Sequence, residues 1–131
     1  MTSVQVRPLF LRKLSNQPLA LFFENTRISP VDTLTRHAEQ LSALGHPVRL
    51  LVLRFVVQGG PAGTAAGAIQ AHVDVPASTL SHHLKRLVDA GLLHGRAEGT
   101  YLLYAPDFDA LKALTGYLWE DCCKRGTSSC C

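Results

Sequence analysis

Three stretches of the 131-residue chain predict a mainly α-helical fold with one small β-hairpin. Pro76-Ala-Ser-Thr-Leu-Ser-His-His-Leu-Lys-Arg-Leu-Val-Asp-Ala-Gly91 reads as a two-faced helix, preceded by a shorter helix, Thr64-Ala-Ala-Gly-Ala-Ile-Gln-Ala71, and the turn His72-Val-Asp-Val75. Leu92 to Tyr104 then reads as two short strands joined at Glu98-Gly99. A last helix from Asp107 carries Phe108, Leu111, Leu114, Thr115, Leu118, Trp119 and Cys122 on one broad side, a wider apolar stripe than a small domain can cover. Helix, turn, helix and hairpin in that order make a winged helix-turn-helix. The uncovered stripe predicts a homodimer through the terminal helices, the last helix meeting its own copy or the first helix of the second subunit.

Residues 1–30 mix Pro8, Pro18 and Pro30 with apolar pieces such as Leu19-Ala-Leu-Phe-Phe23, which are too short to span a bilayer. Arg12-Lys13 interrupts the only candidate secretory core, so no membrane segment and a cytoplasmic location are expected. This arm reads as a poorly ordered tail, an upstream translation artefact or an extra dimer contact. The winged domain is expected over residues 31–125, followed by a cysteine-containing tail over 126–131. Asp32 can cap a first helix whose Leu34, Ala38, Leu41 and Leu44 form a stripe closed by Gly45, with Leu34 and Leu41 available to the dimer. Pro47 opens a second helix to about Gln58, apolar nearly all round except Arg49 and Arg54 and therefore the expected centre of the core. Strand is the rival reading there, but the length between Pro47 and Gly59 suits a helix better. Gly59-Gly-Pro-Ala-Gly63 is a loop, and Thr64 is the expected cap of the short helix after it. Asp74 falls where the turn tends to need a left-handed backbone, which Asp tolerates better than most residues.

With Leu80 at zero and about 100° per residue, Leu84, Leu87 and Val88 form one apolar stripe. The opposite face of that helix is polar. Ser78, Thr79, Ser81 and His82 can reach base edges, while Lys85, Arg86 and, from the hairpin, Arg96 can hold phosphates; a major groove admits one such helix. His83, near the stripe's edge, reads as a packing residue. Bulk charge adds little, because the formal net of +3 comes entirely from residues 1–30, while residues 31–131 hold equal numbers of basic and acidic side chains. Binding to double-stranded DNA must then come from local placement, which favours a specific operator over general polyanion binding.

Ser78-Thr-Leu-Ser-His-His-Leu-Lys-Arg-Leu-Val-Asp-Ala-Gly-Leu92, the hairpin and Leu44-Gly-His-Pro-Val-Arg-Leu50 together resemble the arsenic-repressor (ArsR/SmtB) family of winged-helix metal-sensing repressors. The resemblance covers roughly residues 31–125. It implies a homodimer that binds an operator and leaves it when an inducer, often a metal or metalloid ion, is bound. Two departures narrow the inducer: residues 64–75 hold no cysteine, where many members carry Cys-x-Cys, and residues 107–125 hold no histidine, where zinc-sensing members use Asp and His.

All four cysteines lie in Cys122-Cys-Lys-Arg-Gly-Thr-Ser-Ser-Cys-Cys131. Cys122 sits on the apolar stripe and packing could explain it, but Cys130 and Cys131 follow a polar tail with nothing to pack. Adjacent cysteines on a helix diverge by about 100°, so Cys122 and Cys123 can share an ion only if the last turn loosens. The residues between Cys123 and Cys130 reach up to about 20 Å, enough to bring Cys130 or Cys131 back to the pair; Cys130 closes the shorter loop. Three thiolates with no imidazole nearby favour a thiophilic centre over zinc. Arsenite fits best, being trigonal and the inducer of members of this family with a vicinal cysteine pair at the end of the last helix; antimonite and methylarsenite are related candidates. The alternative is a thiol redox or persulfide sensor in which two cysteines form a reversible bond. An enzyme is not expected, since no acid or histidine serves the thiols and no catalytic motif is present. His37, His46, His72, His82, His83 and His94 are scattered without ligand spacing.

Overall fold

The computed structural model describes residues 30–126, with elements in the order α1 (Pro30–Leu44), α2 (Pro47–Gly59), β1 (Thr64–Ala65), α3 (Ala66–Val73), α4 (Ala77–Asp89), β2 (Leu93–Glu98), β3 (Tyr101–Pro106) and α5 (Phe108–Trp119). Nearly all of the arm expected over residues 1–30, and Cys130 and Cys131 of the tail, lie outside the described residues. The core joins Val52, Leu53 and Val56 of α2, Ile69 of α3, Leu80, Leu84 and Leu87 of α4, Leu92 and Leu93 at the start of the wing, and Leu114 of α5. Burying residues of this size contributes about 1.5–3 kcal/mol each, which fixes α4 by its inner face and leaves the outer one free.

α2 begins where predicted because Pro47 suits a first helical turn and His46 Nδ1 accepts the N–H of Val48. It is less central than its composition suggests, since Leu50, Leu51 and Val57 are exposed. Thr64 is not a helix cap. It pairs with Tyr104 in a two-residue strand, and α3 starts after Ala65, which offers no side-chain cap. The resulting antiparallel sheet has the order β1-β3-β2, with the hairpin pairing from Leu93↔Pro106 to Glu98↔Tyr101. Gly99 opens its two-residue turn at φ 60°, the positive value that hairpin turns of this length require. Asp74 takes φ 51° and ψ 51°, the left-handed cap expected of it, and α4 follows with Pro76 at its N-cap.

The expectations for α5 are corrected, while α1 carries Leu34 and Leu41 on its outer face. α1 turns His37, Gln40 and Ala43 inward, whereas Leu34, Ala38 and Leu41 face out; which face is buried is decided by α1's neighbours, not by its own stripe. α5 ends at Trp119, not near Gly126. Its stripe is divided: Leu114 is buried in the subunit's own core and Leu111 packs partly against it, while Phe108, Leu118 and Trp119 are exposed. The outward apolar side chains of the terminal helices therefore include Leu34, Leu41, Leu118 and Trp119. Among the described residues no single helix is long and apolar enough to cross a membrane.

Candidate DNA interface and cysteine segment

α4 holds Ser78, Thr79, Ser81, His82, Lys85 and Arg86 on its exposed face, because its Leu80, Leu84 and Leu87 are locked into the core. The cations of this face are not equivalent. Lys85 Nζ donates to Asp89 Oδ2 at 2.7 Å, whereas the Arg86 guanidinium makes no hydrogen bond or ion pair among the described residues. Arg96 on β2 is exposed but engaged: its Nη2 donates to the Ala62 carbonyl at 2.6 Å and lies 3.6 Å from Glu98 Oε2. That bond ties the wing to the loop before β1, so Arg96 has a structural task beside any contact with phosphate.

Behind the reading face lies a cluster the sequence did not reveal. His83 is buried; its ring lies 4.6 Å from that of His46, and Arg49 Nη1 stands 3.4 Å from His83 Nδ1. A guanidinium only donates, so His83 Nδ1 must accept, as His46 Nδ1 does from Val48. Arg49 Nε also donates to the Ala43 carbonyl, which joins the end of α1 to the cluster. Burial lowers the His83 pKa from its ordinary 6.5, and the nearby His46, Arg49 and His82 lower it further. The unfolded chain therefore binds more protons than the folded one as pH falls below 6.5, so stability is complete above that value and declines below it until His83 itself protonates. Urea unfolding of the reduced protein from about pH 8 to about pH 5 is expected to show that decline, and His83→Asn, which keeps an acceptor for Arg49 without titrating, is expected to flatten it.

At the foot of the wing, His94 Nε2 donates to Asp107 Oδ2 at 2.9 Å, and Asp107 Oδ1 accepts the Ala110 N–H that it caps. The Ala110 N–H is the main reason the Asp107 carboxyl titrates below its ordinary range, with His94 acting in the same direction. The wing and the start of α5 are thus pinned together.

Beyond α5, Asp121 and Cys123 take left-handed conformations, φ 57° and 63°. Such a backbone is uncommon for residues other than glycine, and here it undoes the helical divergence of adjacent side chains. Cys122 Sγ and Cys123 Sγ stand 3.4 Å apart, with Cys123 also disulfide-bonded. Lys124 and Arg125 follow directly, Lys124 pairing with Asp121 at 2.9 Å. Among the described residues no three potential ligands converge, so the described part of the site is this sulfur pair.

A family model described as a helix-turn-helix domain matches residues 44–96. The chain is 36% identical over 81 residues to the HTH-type transcriptional regulator YgaV of Escherichia coli, covering 62% of this chain and 80% of that protein. It is 29% identical over 103 residues to the arsenical resistance operon repressor of Bacillus subtilis, covering 76% and 94%. Among solved structures, the homodimeric winged helix-turn-helix DNA-binding domain of Mb0332 from Mycobacterium bovis, described as a possible ArsR-family regulator, matches with a TM-score of 0.57 at 26% identity, covering 81% of this chain and 96% of that one.

Proposed function

The chain belongs to the ArsR family of winged helix-turn-helix transcriptional regulators, which are not enzymes, and on that premise we propose that it is a homodimeric repressor of an arsenic-resistance operon, released from its operator by trivalent arsenic at the C-terminal cysteines. One observation carries the ligand: the 3.4 Å separation of the Cys122 and Cys123 sulfurs. A soft ion with bonds of about 2.3 Å to sulfur holds two thiolates about 3.5 Å apart, close to this separation, so once Cys123 is reduced the backbone of the segment already suits a shared ion. Cys130, or Cys131 in its place, would supply the third sulfur; antimonite has the same requirement, and methylarsenite needs only two. The relative named for arsenical resistance supports the same ligand class. Arsenite titration of the fully reduced protein tests it: one arsenic per cysteine cluster is expected, and no bound arsenic would refute it.

A second reading takes the same segment as a thiol redox or persulfide switch, and the disulfide-bonded state of Cys123 supports it. It is separated from the first by stoichiometry. A redox switch releases DNA on oxidation with no bound ion.

On the DNA side, His82 would read a base edge while Arg86 holds phosphate, helped by Lys85 and Arg96, with Ser78, Thr79 and Ser81 completing the reading face. His82→Ala is expected to cost about 1–3 kcal/mol and to relax discrimination at one position of each half-site. Arg86→Ala should weaken operator and random DNA alike and reduce the salt slope by about one per subunit. Binding isotherms on operator and random duplexes across a salt series check both; equal losses on every sequence for both variants would remove His82 from the readout.

A further inference from the structure

Two polar side chains occupy the inward face of α1, where the core would accept apolar ones. Gln40 is 2% exposed and His37 6%. Gln40 Nε2 donates to the Ala90 carbonyl at 3.4 Å, and because a carbonyl can only accept, this orients the amide and turns Oε1 toward His37. His37 Nδ1 must then be the donor in the 2.9 Å bond to Gln40 Oε1. On its other side His37 meets Tyr117, ring centroids 4.7 Å apart and planes tilted 35°.

The ends of this chain of contacts are what make it informative. Tyr117 lies in the last turn of α5, just ahead of the Cys122-Cys123 segment. Ala90 is the C-cap of α4, and Gly91 beside it, at φ 73°, is where the backbone leaves the reading helix for the wing. We propose that Tyr117, His37 and Gln40 form a relay that carries the state of the cysteine segment to the end of the reading helix. It rests on the reading of those cysteines as the inducer site, and it states how that site acts on DNA.

An apolar pair at 37 and 40 would fill the same space without needing partners, but it would have no directional bond to make or break. The relay requires two discrete arrangements of the polar pair, of which the structure shows the first. In one, Gln40 holds the Ala90 carbonyl; in the other, a shift of Tyr117 drags His37, the long Gln40 bond opens, and the junction of α4 with the wing is released. Coupling of this kind requires an element whose equilibrium both sites bias, and the Gln40–Ala90 bond is placed to be that element.

The test uses the reduced full-length chain with sodium arsenite and operator duplex. Gln40→Leu is expected to bind arsenite off DNA like the parent and to bind operator like the parent without arsenite, yet to lower the arsenite-induced drop in operator affinity by about 2–30-fold. Tyr117→Leu should do the same, and Tyr117→Phe, which keeps the ring, should retain the full drop. Hydrogen exchange provides a readout that needs no inducer: Tyr117→Leu should quicken exchange of the Ala90, Gly91 and Leu92 amides, which are bonded to Arg86, Val88 and Leu87. If the parent binds no arsenite and does not respond to oxidation, the inducer reading has failed, and exchange alone decides the relay. Unaltered exchange at residues 90–92 in Tyr117→Leu overturns the relay, as does a full arsenite response in both Gln40→Leu and Tyr117→Leu.

Discussion

Replacing Leu118 with Glu is expected to leave each subunit folded, to prevent dimer formation and to cut operator affinity about a thousandfold or more, the scale that separates specific from non-specific binding. Leu118 is 56% exposed and Trp119 73%, and on α1 Leu34 and Leu41 are also turned out, so the apolar surface the two terminal helices present is not used by the subunit's own core. Covering a leucine contributes about 1.5–3 kcal/mol. Placing a carboxylate in the same interface reverses that gain and adds a desolvation penalty, while on an isolated subunit the introduced carboxylate would sit in water at little cost. Operator affinity should fall with the dimer because two half-sites are read only when two α4 helices are joined at fixed spacing. Leu114 provides the contrast. It is buried within the subunit, so Leu114→Ala should destabilise the fold by about 2–5 kcal/mol instead of dissociating a folded dimer. Sedimentation and chemical denaturation separate the two outcomes; a folded Leu118→Glu variant that remains dimeric would refute the terminal-helix interface.

What the sequence disclosed was mostly local. The inner stripe of α4, the left-handed Asp74, the Asp107 cap and the Gly99 turn each depend on residues within a few positions of one another, and each lies where its chemistry predicts. Tertiary choices were not legible. α1 has an apolar stripe at Leu34, Ala38 and Leu41 and a polar one at His37 and Gln40, and only the positions of Ala90 and Tyr117 explain why the polar one is buried. β1 is two residues long, too short for alternation to signal it, so Thr64 read as a cap. The end of α5 is hidden for a related reason: Glu120-Asp121-Cys122 contains neither Gly nor Pro, and although Asp121 tolerates a left-handed backbone, nothing local marks Cys123 for one. The early end of α5 bears on the cysteine site. On a continued helix Cys122 and Cys123 would diverge, and the early stop is what brings their sulfurs together.

Cys122→Ser, and separately Cys123→Ser, are expected to repress as tightly as the parent and to respond to arsenite hardly at all, converting a release of about 5–150-fold into almost none. The separation of effects follows from placement. Both cysteines lie past the end of α5 and none lies on α4, so a hydroxyl in place of a thiol removes a soft ligand without touching the reading face. An ion held there can act on DNA only by being bound more tightly by the free dimer than by the operator complex, and linkage then requires operator DNA to weaken arsenite binding by the same factor. That reciprocity is measurable: arsenite titrations with and without saturating operator should give dissociation constants whose ratio equals the release factor. A chain ending at Ser129 identifies the third ligand. If Cys130 or Cys131 completes a trigonal site, the truncated chain should need much more arsenite for release; release at an unchanged arsenite concentration would mean a two-sulfur site at Cys122 and Cys123, suited to methylarsenite. Should Cys123→Ser abolish release by an oxidant while the reduced parent binds no arsenic, the cysteine segment is a redox switch, and the metalloid reading falls while the winged-helix regulator stands.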